Sequence, residues 1–313
     1  MIPLRIYFRI FYYLRARFVV ANLIKITENI MYWQSVLVCW GDKYSNAQVN
    51  KLVDQIIKND SNCIKCVLFT DTIRDGINPV VEQKIIPEFY LTAELTAVGC
   101  HAKLCMFEKG ILDVSLPAIY IDLDTLVFGP LGQLLNELKS DKHLMMIPGR
   151  GNFRALRRLF AKNFGGRKFG RANSSAVVFH PVYWHSVSDS FRSKIKKGVK
   201  LEGEYMVADD RYLAWFAQQK LQVIPTSYIV KFGTEFVLPT AWMSRLKGRL
   251  PWVEKRRSRL LAITFPGNNF EPEKLAKLRD SMSLADHRKR PLIWDDGTIG
   301  VSKKKIQSYF KVS

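Results

Sequence analysis

The stretch Ile119-Tyr120-Ile121-Asp122-Leu123-Asp124-Thr125-Leu126-Val127 decides how the rest of the chain is read. An apolar run climbs into two carboxylates one residue apart, then turns apolar again. In extended backbone, positions i and i+2 face the same side. Asp122 and Asp124 are therefore expected to aim hard oxygen ligands at one point where a strand ends. Mg2+ or Mn2+ bound in this way keeps coordination positions open for substrate phosphates. Taken alone, the triplet describes a strand end with two solvated acids equally well, so the flanking sequence has to decide.

Upstream, Val36-Leu37-Val38-Cys39-Trp40 reads as a short apolar strand ended by the turn-forming Gly41-Asp42-Lys43-Tyr44-Ser45. From Asn46 to Asn59, Val49, Leu52, Val53, Ile56 and Ile57 recur at the spacing of an amphipathic helix. Cys66 to Asp71 is a second strand that again ends in an acid. Strand, helix, strand is the signature of a parallel twisted sheet. Ligands of such sheets bind beyond the carboxyl ends of the strands. The loops after Trp40, Thr70 and Ile121 are therefore expected to share one crevice.

Thr92 to Gly110 reads as a helix that carries Lys103 toward the key strand. Downstream, Gly129-Pro130 opens a helix running to Leu138, His143 to Ile147 is a strand, and Asn173 to His180 is another. A helix from Pro181 to Lys197 follows, and then a helix headed by Asp209-Asp210. Acids in a first turn suit the positive end of the helix dipole, which is their ordinary explanation. Leu221 to Pro225 and Leu261 to Phe265 complete the strands.

The 313 residues carry 48 basic and 28 acidic side chains, a net charge of +20. Such an excess favours anionic partners: nucleic acid, an acidic membrane surface or phosphorylated substrates. Two stretches concentrate it. Gly149 to Arg171 has eight Lys and Arg and no acid, and Trp242 to Leu260 interleaves seven with Trp242, Leu246, Leu250 and Trp252. Residues 1–30 are apolar and aromatic with interspersed Arg, and the longest charge-free run is far short of the roughly 20 residues that span a bilayer. Two readings of this segment stand: an amphipathic segment on an anionic membrane, or a leader ahead of a true start at Met31. Five cysteines, an odd number, and no recognisable secretory leader point to a reducing cytoplasm. The Cys63-Ile64-Lys65-Cys66 pair lacks a second such pair and reads as buried thiols.

With these pieces placed, the chain resembles the nucleotide-sugar glycosyltransferases of the GT-A fold, in the branch of glycogenin and the bacterial lipopolysaccharide galactosyl- and glucosyltransferases. The likeness runs from about Ser35 to Lys274. Its most specific part is Ala102-Lys103-Leu104 together with Tyr120-Ile121-Asp122-Leu123-Asp124-Thr125-Leu126-Val127. The resemblance implies an α/β fold, a mixed, mainly parallel Rossmann-like sheet flanked by helices. It would be one domain over 35–280 with basic insertions, between a basic apolar segment 1–34 and a basic tail 281–313. It implies that Asp122 and Asp124 hold Mn2+ or Mg2+ on the diphosphate of a UDP-linked sugar, and that Lys103 touches that donor. Asn173-Ser174-Ser175 would line the donor sugar, and Trp40 to Tyr44 with Asp71 would surround the nucleoside. Asp209-Asp210 would lie near the reacting carbon, and the transfer would retain configuration.

Two features depart from the family. Where a histidine usually supplies a third metal ligand, this chain has Phe265-Pro266-Gly267, and Asp210 replaces the usual Gln. The expected acceptor is a glycan or glycolipid, with the basic stretches meeting a phosphorylated acceptor or the inner face of an anionic membrane. Two other classes share part of this pattern. A haloacid-dehalogenase-type phosphohydrolase also uses D-x-D, but wants Thr or Val where Leu126 stands and places the motif on the first strand. A nucleic-acid or anionic-surface binding protein would use the basic stretches with their aromatics, but no nucleic-acid module is recognisable.

Overall fold

The computed structural model describes residues 31–97, 100–149, 172–265 and 270–311. The chain divides into two compact units, Met1–Tyr32 and Trp33–Ser313, and of the first only Met31 and Tyr32 are described. The expectations for residues 1–30, for the basic run 150–171 and for Pro266-Gly267 lie outside the described residues.

The second unit begins with β1 (Trp33–Cys39), α1 (Asn46–Asn59), β2 (Cys63–Thr70), β3 (Val81–Ile85) and β4 (Ala118–Ile121). It continues through β5 (Thr125–Val127), β6 (Leu144–Pro148), β7 (Ala172–Phe179), α2 (Ser186–Lys196), α3 (Asp209–Phe216) and β8 (Leu221–Val223). Among the described residues the central sheet has the order β3-β2-β1-β4-β7-β6-β8. β3, β2, β1 and β4 run parallel, as do β6 and β8, while β7 is antiparallel to both β4 and β6. The polarity of β7 matters for function. β7 enters the sheet at the edge where β4 leaves it, so Asn173, Ser174 and Ser175 arrive beside the end of β4.

Both faces of the sheet's inner strands are covered, which is why β4 and β6 are continuous apolar runs and β1, β2 and β7 are apolar over most of their length, while the edge strands β3 and β8 are not. Alternate residues face alternate sides. Val36, Val67, Tyr120, Val177 and Met146 pack into one layer with the 3-10 segment His101–Phe107 and Phe191 and Tyr212. Leu37, Leu68, Ile119, Val178 and Met145 pack into the other with Val49, Leu52, Val53 and Ile56 of α1. α1 matches the sequence spacing end to end, and Ser45 and Gln48 close its first turn as a reciprocal capping box.

The remaining elements are β9 (Ile229–Lys231), α4 (Ala241–Gly248), α5 (Pro251–Ser258), β10 (Ala262–Thr264), β11 (Met282–Ala285), β12 (Pro291–Trp294) and α6 (Val301–Lys311). β5, β10 and β9 form a second, three-stranded sheet, and β11 pairs with β12 as a hairpin. The stretch from 281, expected as a tail, is folded: Leu292, Trp294, Ile299, Ile306 and Tyr309 share a third apolar cluster with Leu126, Phe232, Ile263 and Phe265.

Three elements differ from the sequence reading. The helix expected over Thr92 to Gly110 is a single turn, Ala93–Thr96, and the 3-10 segment His101–Phe107, parted at Cys100, whose φ of 54° is left-handed. The helix expected from Gly129-Pro130 is also 3-10, Leu131–Glu137. The helix from Pro181 is broken into Pro181–Trp184 and α2. Cys63 and Cys66 are buried free thiols with their sulfurs 3.8 Å apart.

Asp60, buried at the end of α1, ties the start of β1 to the 3-10 segment Leu131–Glu137 within one layer. It accepts from the Trp33 indole at 3.2 Å and from the Gly132 amide at 2.7 Å. Asp60→Ala would leave both donors unpartnered, at a cost of about 2–3 kcal/mol. Thermal unfolding of this variant should show a midpoint lower by on the order of 5 °C.

Candidate active site

The two acids of the key stretch are brought together by a turn, not by extended backbone. β4 ends at Ile121, the Asp122 amide donates to the Ser175 carbonyl at 2.9 Å, and the Thr125 amide donates back to the Asp122 carbonyl at 3.1 Å. β5 then departs into the second sheet. The Asp124 carbonyl accepts from the Phe265 amide at 3.0 Å, so the acid turn is pinned on one side by β7 and on the other by the end of β10.

Asp122 is the centre of a buried cluster. Its Oδ1 accepts from the Lys103 ammonium at 2.6 Å and from the Tyr120 hydroxyl at 2.5 Å. Burial pushes this carboxyl up, but the Lys103 charge and the hydrogen bonds from Lys103, Tyr120 and Ser175 outweigh it and hold it below its ordinary value. Lys103 keeps its proton for the reciprocal reason: burial opposes the charge, and Asp122, Tyr120 and Asp209 more than restore it. Asp124 goes the other way. Burial and then the charge of Asp122 push it up, with Lys103, Lys231 and Lys43 compensating only in part.

The second acid pair heads α3, which packs on β7. The Ser174 hydroxyl donates to Asp209 at 2.6 Å, and the Asn173 amide donates to Asp210 at 3.3 Å. Burial pushes Asp209 up to about 7, with Asp210 and Asp122 adding to the shift against Lys103 and the Ser174 hydrogen bond.

Lys231, at the end of β9, is a site residue that sequence reasoning missed. Its ammonium donates to the Asn173 side-chain oxygen Oδ1 at 3.0 Å, which leaves Nδ2 of the same side chain turned toward Asp210. Burial lowers its pKa against the opposing pull of Asp122, Asp124 and Asp210, so it lies among both acid pairs. Thr264 was missed as well. It is in register with Lys231 on one side and Thr125 on the other, and its hydroxyl reaches Asp124 at 3.4 Å.

The remaining expected residues divide. Tyr44 lies near the site: burial and then the charges of Asp124 and Asp122 push its hydroxyl up. With Lys43, Leu123, Asp124, Phe265 and Tyr309 it lines a cleft of about 390 Å3. Asp71 is turned to the loop that carries Tyr44. It accepts from the Gly41 amide at 2.9 Å and pairs with Arg74, which in turn donates to the Gly41 and Tyr44 carbonyls. Trp40 packs against the apolar layer on the His101–Phe107 side.

Among the described residues no three His, Cys, Asp or Glu side chains lie together as a metal cage. The pair itself suits a hard divalent cation that is shared with a substrate. It offers two carboxylates, one of which, Asp124, is pushed up by burial and by Asp122 and is the one whose ionised form a cation would favour. Mg2+ and Mn2+ are commonly held by one or two carboxylates plus substrate phosphates.

No protein-family model and no curated protein matches the sequence. Solved structures do match. Galactosyltransferase LgtC, in complex with donor and acceptor sugar analogues, superposes with a TM-score of 0.53 at 12% identity, covering 88% of this chain and 94% of LgtC. The ligand-free bifunctional glycosyltransferase WbbM gives a TM-score of 0.52 at 14% identity, covering 89% of this chain and 52% of WbbM. The chain therefore has the fold of these sugar transferases, the mixed and mainly parallel architecture that its sequence resemblance implied.

Two consequences can be measured. Lys103→Met would leave Asp122 buried without its cation, a loss of about 3–5 kcal/mol. Urea unfolding should find this variant much less stable than Tyr120→Phe, which removes only a neutral hydrogen bond worth about 1 kcal/mol. For Asp209, the fold favours the neutral acid, so between the ordinary 3.8 and about 7 the native chain holds a proton that the unfolded chain has released. Stability should fall as pH rises through that window. Asp209→Asn should remove this contribution, making the variant more stable than the parent at pH 8, by on the order of 2–4 kcal/mol, and equal to it at pH 3.5.

Proposed function

We propose that this protein is a glycosyltransferase. It moves a hexosyl group from a UDP-linked sugar to a glycan or glycolipid acceptor, with a divalent metal and with retention of configuration. The observation that carries the reading is the convergence of the acid turn at Asp122 and Asp124 with the acid-headed helix at Asp209 and Asp210, with Lys103 and Lys231 between them.

The chemistry asks for this arrangement. A nucleoside diphosphate gains negative charge as its bond to the sugar breaks, so groups that stabilise that charge act most strongly in the transition state. Asp122 and Asp124 would hold Mn2+ or Mg2+, which when bound supplies positive charge to the diphosphate. Lys231, whose proton is destabilised by burial, gains most from an arriving anion. The sugar carbon develops positive charge at the same moment, as in glycoside hydrolysis. Asp210, oriented by Asn173, supplies a carboxylate for that cation, while Asp209 fixes Ser174 at the start of β7. The leaving phosphate takes the acceptor's proton, so no dedicated base is needed. The cleft beside Asp124, with Tyr44 on its wall, is large enough for part of a nucleotide.

Calorimetric titration of nucleoside diphosphates with and without Mn2+ tests the reading. Metal-dependent binding of UDP is expected. Asp124→Asn, in which the turn's backbone contacts persist, should weaken that binding and lower sugar transfer by at least roughly 100-fold. Nucleotide binding that ignores both the metal and this substitution would remove the donor-site assignment.

A further inference from the structure

Away from the site, α4 and α5 present an unusual surface. Trp242 is 64% exposed, Leu246 57% and Trp252 67%. Single exposed apolar side chains are ordinary, but contiguous large ones mark an interaction face. Trp242, Leu246 and Arg249 recur at i, i+4 and i+7, so they form one outward stripe along α4 and, with Ala241 and Arg245, line a shallow depression. Trp252 opens α5 directly behind Pro251.

This face is held rigidly. Arg257 of α5 is buried, donating to Glu235 at 2.8 Å and to the Thr298 carbonyl at 2.7 Å, with its guanidinium over the Phe236 ring. Lys247 and Arg256 close on the same Glu235. On the inner side of α4, Gly248 lies so close to Gly297 that a Cβ would run into the Gly297 carbonyl oxygen. The inward cations thus lock the helix pair onto the fold, and the two tryptophans remain outside.

Charge selects the partner. Residues 241–259 hold seven basic side chains against the single acid Glu254. After the inward pairs, and the Arg245–Asp295 pair, Arg249, Lys255 and Arg259 are still exposed, on or at the ends of the helices that carry the tryptophans. Exposed Trp and Leu framed by Lys and Arg is the composition that seats a surface at the headgroup layer of an anionic bilayer. A second copy of the chain is disfavoured, because it would bring two basic faces together on molecules of net charge +20.

We infer that the α4–α5 face docks on an anionic membrane, with Trp242, Leu246 and Trp252 entering the interfacial layer and Arg249, Lys255 and Arg259 meeting lipid phosphates. The inference extends the transferase reading by placing its acceptor at a lipid surface, but the docking itself involves no nucleotide.

The test is co-sedimentation of the full chain with vesicles of phosphatidylcholine plus phosphatidylglycerol, and of phosphatidylcholine alone, over a salt series. Binding to the anionic vesicles, weakening with salt, is expected. Combined Trp242→Ser, Leu246→Ser and Trp252→Ser should reduce it by at least about tenfold, as should combined Arg249→Gln, Lys255→Gln and Arg259→Gln. All six side chains point outward, so circular dichroism and UDP binding should stay as in the parent. Equal binding to neutral vesicles, or a serine variant that binds like the parent, would overturn the inference. So would a parent that dimerises through this face and binds neither vesicle. Failure of UDP binding in the parent would instead count against the transferase reading and leave the docking result standing.

Discussion

The ammonium of Lys103 and the carboxylate of Asp122 meet at 2.6 Å in a largely buried corner, and the rest of the site is arranged about that contact. Neither charge would survive there alone: desolvation opposes both, and each is held charged chiefly by the other. The pair joins the 3-10 segment on one sheet face to the end of the central strand. Tyr120, from the same strand, adds its hydroxyl to the same oxygen. Once that corner is set, the turn after Asp122 must leave the sheet, and it leaves toward β10 and β9. This departure brings Thr264 and Lys231 within reach of the acids.

The electrostatics follow from this geometry. Four carboxylates crowd one end of the sheet, and among the described residues Lys103, Lys231 and Lys43 offset them only in part. Asp122 is stabilised as an anion, while burial, and then the neighbouring carboxylates, push Asp124 and Asp209 toward neutrality. The divalent metal proposed above would supply positive charge to this end of the sheet.

Much of this was legible in the chain. α1 was readable end to end because its apolar residues keep helical spacing from Val49 to Ile57 and Ser45 and Gln48 mark its start. The acids, Lys103 and Asn173 were readable because short local patterns carry them. Lys231 was not, since its three-residue strand has no period to detect; the strand of Thr264 was readable, but its place beside the acids, like that of Lys231, depends on pairing between segments far apart in sequence. The region 92–110 misled for a related reason. Its apolar residues fit a helix, but the left-handed backbone at Cys100 cannot be inferred from side-chain spacing. The folded C-terminal stretch was hidden by its charge: the lysines and arginines dominate the composition, while Trp294, Ile299 and Ile306 do the packing.

The acid turn holds one more asymmetry. Asp122 and Asp124 look equivalent on paper, yet the fold uses them differently. Asp122 neutralises a buried lysine, so losing its side chain damages the protein itself. Asp124 supports the turn through its main chain, by the Phe265 amide, and its side chain is electrostatic surplus. Spontaneous changes at these two positions should therefore have different fates in a cell. Chains altered at residue 122 would be thinned out by proteolysis as their unfolded fraction grows. Chains altered at residue 124 would persist folded, and, with the metal role proposed for this side chain, inactive.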